Sequence, residues 1–246
     1  MDGEKWPYNA IIYLEIKGEG GCSGAMIGPY TVLTAGHCVK KGNTQEMVDP
    51  ASITAYSGRK GSAISAKGVD ILYLKTGKDN YTSGEYDFAT VILSKPIGDK
   101  TGYLGARATD LRLGSRISLV GFPGNKEKNN PWVSPGEITC LSDKSFCHNA
   151  DSQPGSSGSP IFLNSQFQRG NYQIVAVHVN SKDATNNGDT SSNSDLLFCF
   201  IYLCHNKRPP HSGTYTSQKP QMSDEEALRT LQQQLHEQTP LQTTFL

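Results

Sequence analysis

The chain has 246 residues, enough for one large domain or two half-size ones. It carries 23 basic and 23 acidic side chains, and this balance gives no indication of the basic face that nucleic-acid binding requires. Its most apolar run, residues 196–204, is too short to cross a bilayer, so we expect neither a nucleic-acid partner nor a membrane span.

Short β-type runs recur along the chain, and helix-type periodicity is scarce. The first six predicted strands cover residues 10–16, 23–27, 30–34, 53–56, 71–74 and 88–93. After a glycine-rich stretch at 102–105, five more follow at 116–122, 132–138, 160–163, 174–179 and 196–202. Strands at this spacing, without helices between them, favour an antiparallel sandwich or barrel. Two sets of similar size predict two β-barrels with a boundary near residues 100–113.

The end of the chain has a different composition. Residues 206–221 are polar and rich in Pro, Ser and Thr, which predicts a linker. Ser223 then has the character of a helix N-cap followed by acidic residues. Leu228, Leu231 and Leu235 lie at helical spacing and form one narrow apolar stripe. We expect a short amphipathic helix that docks either on its own barrel or on a partner.

Six cysteines are an even number, which permits three disulfides. Cys22–Cys38 would enclose a predicted strand pair, and Cys140–Cys147 would enclose a short loop. Cys199 and Cys204 are five residues apart, a separation that does not suit a disulfide within one regular element. We expect all three bridges; the alternative is six buried free thiols in a reducing compartment.

Residues 153–160, QPGSSGSP, place Ser157 in a glycine-rich turn. A serine hydroxyl is a poor nucleophile at neutral pH. It needs an imidazole base, a carboxylate that orients the imidazole, and N–H donors for the oxyanion. His37 and Asp87 could provide the first two, and Gly155 a flexible backbone for the third. Taken singly, each feature has a structural explanation. His37 could be a solvated histidine, Asp87 a strand-end cap, and the Gly/Ser cluster a polar loop.

The order His, Asp, Ser along the chain narrows the class of hydrolase. The α/β-hydrolases run Ser, acid, His around G-x-S-x-G, but Ser159 stands where the second glycine would be. Subtilisin-like enzymes run Asp, His, Ser. The chain has no H-E-x-x-H, and its cysteines are not in paired C-x-x-C motifs. We therefore expect no metal and no cofactor.

Several sequence blocks carry a resemblance to a known family. The blocks TAGHC (34–38), DFATVIL (87–93) and GSSGSP (155–160) resemble the three catalytic blocks of chymotrypsin-fold serine proteases. Residues 121–124 (GFPG) and 134–138 (SPGEI) resemble blocks of the bacterial glutamyl-endopeptidase branch. The resemblance covers residues 8–203. It implies an all-β fold of two six-stranded antiparallel barrels, at 8–110 and 111–205, before the linker and helix of 206–246.

The resemblance also implies roles for individual residues. His37 would be the general base, Asp87 the acid that orients it, and Ser157 the nucleophile. The N–H groups of Gly155 and Ser157 would form the oxyanion hole. Cys22–Cys38 would match the family's bridge beside the catalytic histidine.

One position departs from the digestive members of this fold. They carry Asp immediately before the nucleophile, where it pairs with a new N-terminal amine after activation cleavage. Here that residue is Ser156, so this ion pair cannot form. Glutamyl endopeptidases also lack that Asp, and the departure therefore favours their branch.

By the same resemblance, six residues line the pocket for the residue before the scissile bond: Asp151, Ser152, His178, Val179, Asn180 and Ser181. A hydroxyl at Ser152 and an imidazole at His178 can both donate to a substrate carboxylate, which favours Glu or Asp. Asp151 leaves an Arg or Lys preference open, because a carboxylate in the pocket would repel Glu. His178 could also be a satisfied strand histidine without a binding role.

The leading hypothesis is a secreted, monomeric endopeptidase that cleaves protein or peptide substrates. Residues 1–7 contain no apolar signal segment, so either a leader has been removed or export uses another route. One alternative is a protease-like protein that only binds. The other is a protease with a narrow target, docked by the C-terminal helix.

Overall fold

The computed structural model describes residues 2–42, 44, 46–76, 87–106, 111–142, 145–170, 172–181, 195–198 and 213–216. The strands of the first half are β1 (Ile11–Ile16), β2 (Gly20–Met26), β3 (Thr31–Thr34), β4 (Ile53–Ser57), β5 (Ser65–Thr76), β6 (Ala89–Leu93) and β7 (Gly105–Ala106). The later strands are β8 (Arg116–Gly121), β9 (Trp132–Leu141), β10 (Ser145–His148), β11 (Pro160–Leu163), β12 (Gln173–Ile174), β13 (Ala176–Ser181), β14 (Asp195–Phe198) and β15 (Gly213–Thr216).

Within the described ranges, the helices are single turns that connect strands. The two α-helical turns are α1 (Gly98–Thr101) and α2 (Asn164–Phe167). The 3-10 turns are Tyr8–Ala10, Gly36–Val39 and Pro50–Ser52. Such short turns contribute little core of their own, so the packing of the molecule depends on its sheets.

Two antiparallel sheets form the molecule. The first has seven strands in the order β15-β5-β4-β1-β2-β3-β6, and β5 also pairs with β6. The second is a closed barrel in the order β10-β14-β13-β11-β8-β9. A parallel pair of β7 and β12 joins residues from the two halves of the chain. Closure gives every strand of the second sheet two neighbours.

The apolar residues divide into two clusters, and β8 contributes to both. Ile117 and Leu119 belong to the cluster inside the closed barrel. Val120 belongs to the larger cluster that contains the first sheet. So does Phe122, which directly follows β8 and whose ring lies 5.6 Å from that of Tyr13. Successive side chains of a strand point to opposite faces. The side chains of β8 therefore point alternately into the closed barrel and toward the first sheet. This arrangement packs the two sheets against each other.

The prediction of an antiparallel all-β fold is confirmed. Of the two predicted six-stranded barrels, the second is confirmed as a closed barrel, whereas the first half forms a seven-stranded sheet because β15 adds a strand beside β5. Two predicted disulfides are also present, Cys22–Cys38 and Cys140–Cys147. Cys199 and Cys204, like the predicted helix of residues 223–235, lie outside the described residues.

Within the predicted linker, β15 pairs antiparallel with β5, with Gly213 opposite Thr76. The four residues of β15 therefore extend the first sheet, within a segment that the sequence predicted as a polar linker. The division into domains at 8–110 and 111–205 stays a prediction.

Candidate active site

His37 and Asp87 are joined by two hydrogen bonds. His37 lies in the 3-10 turn Gly36–Val39, and Asp87 lies two residues before β6. The Asp87 Oδ2 atom is 2.6 Å from His37 Nδ1, and Oδ1 accepts the backbone N–H of His37 at 2.6 Å. The carboxylate thus fixes both the main chain and the ring of one histidine. The Asp87 side chain is 14% exposed and that of His37 34%, so the imidazole is partly open to solvent while the carboxylate is largely enclosed.

The turn that carries His37 is anchored on both sides. Cys38 is bonded to Cys22 on β2, which ties the turn to the first sheet. A Cβ atom on Gly36 would lie 2.8 Å from Asp87 Oδ1, closer than real Cβ contacts come. Glycine at this position therefore lets the carboxylate approach the histidine backbone.

The turn around Ser157 is held by Ser23, a fully buried residue of β2. Ser23 Oγ donates to the carbonyl of Gly155 at 2.8 Å, and the Ser23 N–H donates to the carbonyl of Ser157 at 2.8 Å. The same hydroxyl accepts the N–H of Phe122 at 2.8 Å. One residue of the first sheet thus fixes two carbonyls of a loop that belongs to the second.

A bond from Gly124 sets the direction of the Gly155 N–H. The Gly124 N–H donates to the carbonyl of Pro154 at 2.6 Å. In a trans peptide the C=O and N–H point in opposite directions, so holding the Pro154 oxygen directs the Gly155 N–H away from Gly124. Gly155 has φ +95°, a conformation that costs other L-residues energy.

The N–H of Ser157 is directed in the same way. The Ser159 N–H donates to the carbonyl of Ser156 at 3.0 Å, which fixes the peptide that carries the Ser157 N–H. Neither this N–H nor that of Gly155 donates to an acceptor among the described residues. Two backbone donors are therefore held in fixed directions, beside the serine predicted to react.

The Ser157 turn packs against the residues that lead into the His37 turn. A Cβ atom added to Gly158, which has φ +84°, would lie 2.1 Å from the Ser23 oxygen and 2.2 Å from Thr34 Oγ1. It would also lie 3.0 Å from the nitrogen of Ala35. The structure thus brings the predicted nucleophile's turn against the chain just before the predicted base.

The predicted pocket residues have different surroundings. Ser152 and His178 are buried, at 6% and 2% exposure, and Val179 is buried in the cluster of the first sheet. Asp151 is exposed. Asn180 and Ser181 lie on β13, where their backbones pair with β14; their side chains lie outside the described part of the structure.

His178 is tied to the Ser157 turn through its backbone. Its carbonyl accepts the Gly158 N–H at 2.7 Å, and its N–H donates to the Ser159 carbonyl at 2.9 Å. Burial, and then the positive charges that His148 and His37 can carry, lower the pKa of His178 well below its ordinary value. The ring is therefore neutral at physiological pH.

Sequence reasoning did not identify two residues that support this site, Ser23 and His148. Ser23 begins the predicted strand of residues 23–27, but nothing in the sequence indicated that it holds the Ser157 turn. His148 is fully buried, and its Nε2 atom is 3.3 Å from His178 Nδ1. Alternation with the buried Phe146 would have placed His148 on an inward face, had β10 been predicted as a strand.

Among the described residues, one group of three potential metal ligands lies close together: Cys22, His37 and Cys38. The two cysteines are joined in a disulfide and so cannot act as thiolate ligands. In the same part of the chain, no helix has the length and apolar character needed to span a membrane.

The sequence profile of the trypsin family matches residues 2–192. A glutamyl endopeptidase of Bacillus licheniformis is 32% identical over 182 residues, which are 71% of this chain and 56% of that protein. An extracellular metalloprotease of Bacillus subtilis is 28% identical over 197 residues, covering 76% of this chain and 61% of that protein. The chain thus spans little more than half the length of these relatives.

A solved structure of a Glu endopeptidase in complex with MPD superposes with a TM-score of 0.66 at 26% identity. The match covers 81% of this chain and 89% of that one. Since the profile also covers most of the sequence, the chain belongs to the trypsin family, with a chymotrypsin-like fold.

Proposed function

We propose that this chain is a serine endopeptidase that hydrolyses peptide bonds through an acyl-enzyme on Ser157. The observation that carries the proposal is the pairing of His37 with both oxygens of Asp87, next to a turn with two oriented N–H donors. Membership of the trypsin family supports it. His37 is the base, Asp87 the orienting acid, and Gly155 and Ser157 supply the oxyanion hole.

In the first half of the reaction Ser157 Oγ attacks the scissile carbonyl and His37 Nε2 takes the hydroxyl proton. Asp87 keeps the other proton on Nδ1 and stabilises the imidazolium that forms. The oxyanion is bound by the N–H groups of Gly155 and Ser157. His37 then protonates the leaving amine, and the C–N bond breaks to give the acyl-enzyme.

In the second half water attacks the acyl-enzyme. His37 removes a proton from the water, and the N–H groups of Gly155 and Ser157 again bind the oxyanion. The proton returns to Ser157 Oγ as the ester bond breaks. The products are a free carboxylic acid and the enzyme in its starting state.

For the residue before the scissile bond we propose Glu, with Asp as a second choice. Ser152 and His178 are buried polar groups that can both donate to a carboxylate. The glutamyl endopeptidase of Bacillus licheniformis, at 32% identity, supports this preference. Asn180 and Ser181 would complete the pocket, and the backbone of residues 179–181 would pair with the substrate.

Two alternatives fit less well. A trypsin-like preference for Arg or Lys needs a carboxylate inside the pocket, and Asp151 is exposed. A catalytically silent binding protein would not need an Asp87 carboxylate that accepts hydrogen bonds from His37 with both of its oxygens. We further propose that the protein is secreted, because two disulfides fit an oxidising compartment.

The nucleophile is tested by labelling with a fluorophosphonate probe. The wild-type chain is expected to react once per molecule, and Ser157→Ala is expected to abolish the reaction. Ser165→Ala, an exposed serine on α2, is the matched control and should label as wild type. Labelling that persists in the Ser157 variant would place the nucleophile elsewhere. A folded wild-type chain that does not label would favour the silent binding protein.

The specificity is tested by profiling cleavage sites in a peptide library. Most cleavages are expected to follow Glu, with a minority after Asp. Dominant cleavage after Arg or Lys would reject the proposed preference and implicate Asp151. In that case Asp151→Asn should remove the basic preference.

A further inference from the structure

Behind His178 lies a second buried histidine whose tautomer is set by the main chain. His148, on β10, accepts the N–H of Ala150 on its Nδ1 atom at 3.2 Å. A backbone N–H can only donate, so Nδ1 must present its lone pair. A neutral imidazole has one donor and one acceptor nitrogen, and the proton of His148 is therefore on Nε2.

The Nε2 atom of His148 in turn faces His178. It lies 3.3 Å from His178 Nδ1, and the two ring centroids are 5.3 Å apart. Because His148 Nε2 carries a proton, it donates, and His178 Nδ1 accepts. We propose that His148 is a positioning residue that holds His178 in the tautomer with its proton on Nε2. The chain of donors begins at the amide of Ala150.

The two rings lie in the apolar interior of the closed barrel, which favours their neutral forms. Phe146 precedes His148 by two residues on β10, so both point to the same face, and the two rings are 6.4 Å apart. Burial lowers the pKa of His148 to about 4. A protonated imidazole has two N–H donors. Protonation of His178 would place an Nδ1–H opposite the Nε2–H of His148. Protonation of His148 would place an Nδ1–H opposite the N–H of Ala150.

The consequence for recognition rests on the proposed preference for Glu. His178 would meet the substrate carboxylate as an uncharged donor through Nε2–H, with the Ser152 hydroxyl as a second donor. Without His148 the proton of His178 could move to Nδ1, and Nε2 would then present a lone pair to the carboxylate. His148 would therefore act on specificity without touching substrate.

The tautomer is tested by nitrogen NMR on the full chain labelled with ¹⁵N-histidine at neutral pH. His178 is assigned by the resonances lost in His178→Gln. The expected result is a protonated Nε2 and an unprotonated Nδ1 in His178, and the same in His148. A proton on Nδ1 of His178, or on both nitrogens, would overturn the proposal. This measurement needs no substrate.

The effect on recognition is tested with a matched pair of variants at His148. Gln at this position keeps an N–H donor toward His178, whereas Met has a similar size and no donor. We expect His148→Met to lower kcat/KM for cleavage after Glu by about tenfold, because the pocket donor is no longer fixed. His148→Gln should retain the wild-type value, and both should react with the fluorophosphonate probe as wild type does.

The outcomes separate this inference from the proposed function. If the wild-type chain has no preference for Glu, the proposed specificity fails, while the NMR result still decides the tautomer. If Glu is preferred and the Gln and Met variants cleave equally well, the positioning role of His148 is wrong although the specificity stands.

Discussion

At the scale of single residues, Asp87 illustrates how the site is specified. Its carboxylate accepts two hydrogen bonds from the same histidine, one from the backbone and one from the ring. A carboxylate is acceptor-only, so it satisfies two donors at once without a conflict. The sequence predicted the pairing of Asp87 with His37. It could not predict the bond to the His37 backbone, because that bond depends on the path of the 3-10 turn.

We expect Asp87→Asn to lower kcat by roughly 10⁴-fold. An Asn side chain has one acceptor and one donor group, so its NH₂ must face either the His37 N–H or the His37 Nδ1 atom. If the NH₂ group faces the ring, it requires an acceptor at His37 Nδ1 and so selects the wrong tautomer. If it faces the backbone, it opposes the N–H of His37 and displaces the turn. Peptide hydrolysis measures the effect. Asp70→Asn, where one oxygen accepts the N–H of Ile71, is the control and should keep full activity.

Ser23→Ala is expected to reduce both activity and stability. The hydroxyl that positions the Gly155 carbonyl is lost, so kcat should fall by up to about 10²-fold with KM little changed. The buried N–H of Phe122 loses its acceptor, which should cost about 1–3 kcal/mol in urea unfolding. Ser57→Ala is the matched control, since this buried hydroxyl donates to Asn9 away from the turn. Equal loss of kcat in both variants would mean that Ser23 acts on stability alone.

At the scale of elements, the turn at residues 153–160 depends on partners from other elements. Ser23 on β2 and His178 on β13 each hold two of its peptide groups, and Gly124 after β8 holds one. A Gly/Ser-rich sequence alone predicts a flexible loop, because glycine has access to many backbone conformations. The hydrogen bonds from neighbouring elements remove that freedom, and they give the turn a defined shape before substrate binds.

The packing of this turn predicts a difference between two glycines that share a positive φ. Gly158→Ala should destabilise the protein more than Gly170→Ala by about 1–3 kcal/mol. A methyl group at 158 would overlap Ser23 and Thr34, whereas at 170 nothing lies within 4 Å. Both variants carry the same strain from φ, so chemical denaturation isolates the packing term. Equal destabilisation would contradict the close contact of the turn with β2 and β3.

The strand predictions succeeded where apolar runs were long and failed where they were short or polar. Each of the eleven predicted strands overlaps at least one observed strand. β10 was missed because it has only four residues and follows a polar loop. β5 was predicted only at 71–74 but begins at Ser65. In its first half small buried residues alternate with exposed ones around a bulge near Gly68, so no apolar run marks it. β15 has no apolar pattern and owes its structure to pairing with β5.

At the scale of the whole molecule, the closed barrel places two imidazoles in an apolar interior. His148 and His178 are 0% and 2% exposed, among residues such as Phe146 and Ile138. Buried polar groups in such surroundings need partners, and here each ring is a partner of the other. The same burial links the stability of the fold to pH.

Stability is expected to fall as the pH is lowered from about 6.5 to about 4. The pKa of His148 is lowered from 6.5 to about 4 in the folded protein, so in this window the unfolded chain binds a proton that the folded one does not. The contribution is fully present above pH 6.5 and is lost on acidification, by roughly 3 kcal/mol. The pKa of His178 is lowered as well and adds in the same direction.

Urea unfolding at a series of pH values measures this effect. His148→Gln has no ionisable group at this position and should show a shallower decline between pH 6.5 and 4. A decline as steep as that of the wild-type chain would assign the acid sensitivity to other groups.

The sequence by itself determined the class of fold and the chemistry of the candidate site. Spaced apolar runs determine strands because burial depends on local side-chain pattern, and the order of His37, Asp87 and Ser157 depends only on residue identity. The tertiary structure decided which residues support them: Ser23 across the two sheets, Gly124 behind the turn, and His148 behind His178. These contacts join residues far apart in the chain. Their hydrogen bonds have no local sequence pattern, and only the packing of the two sheets brings the partners within reach.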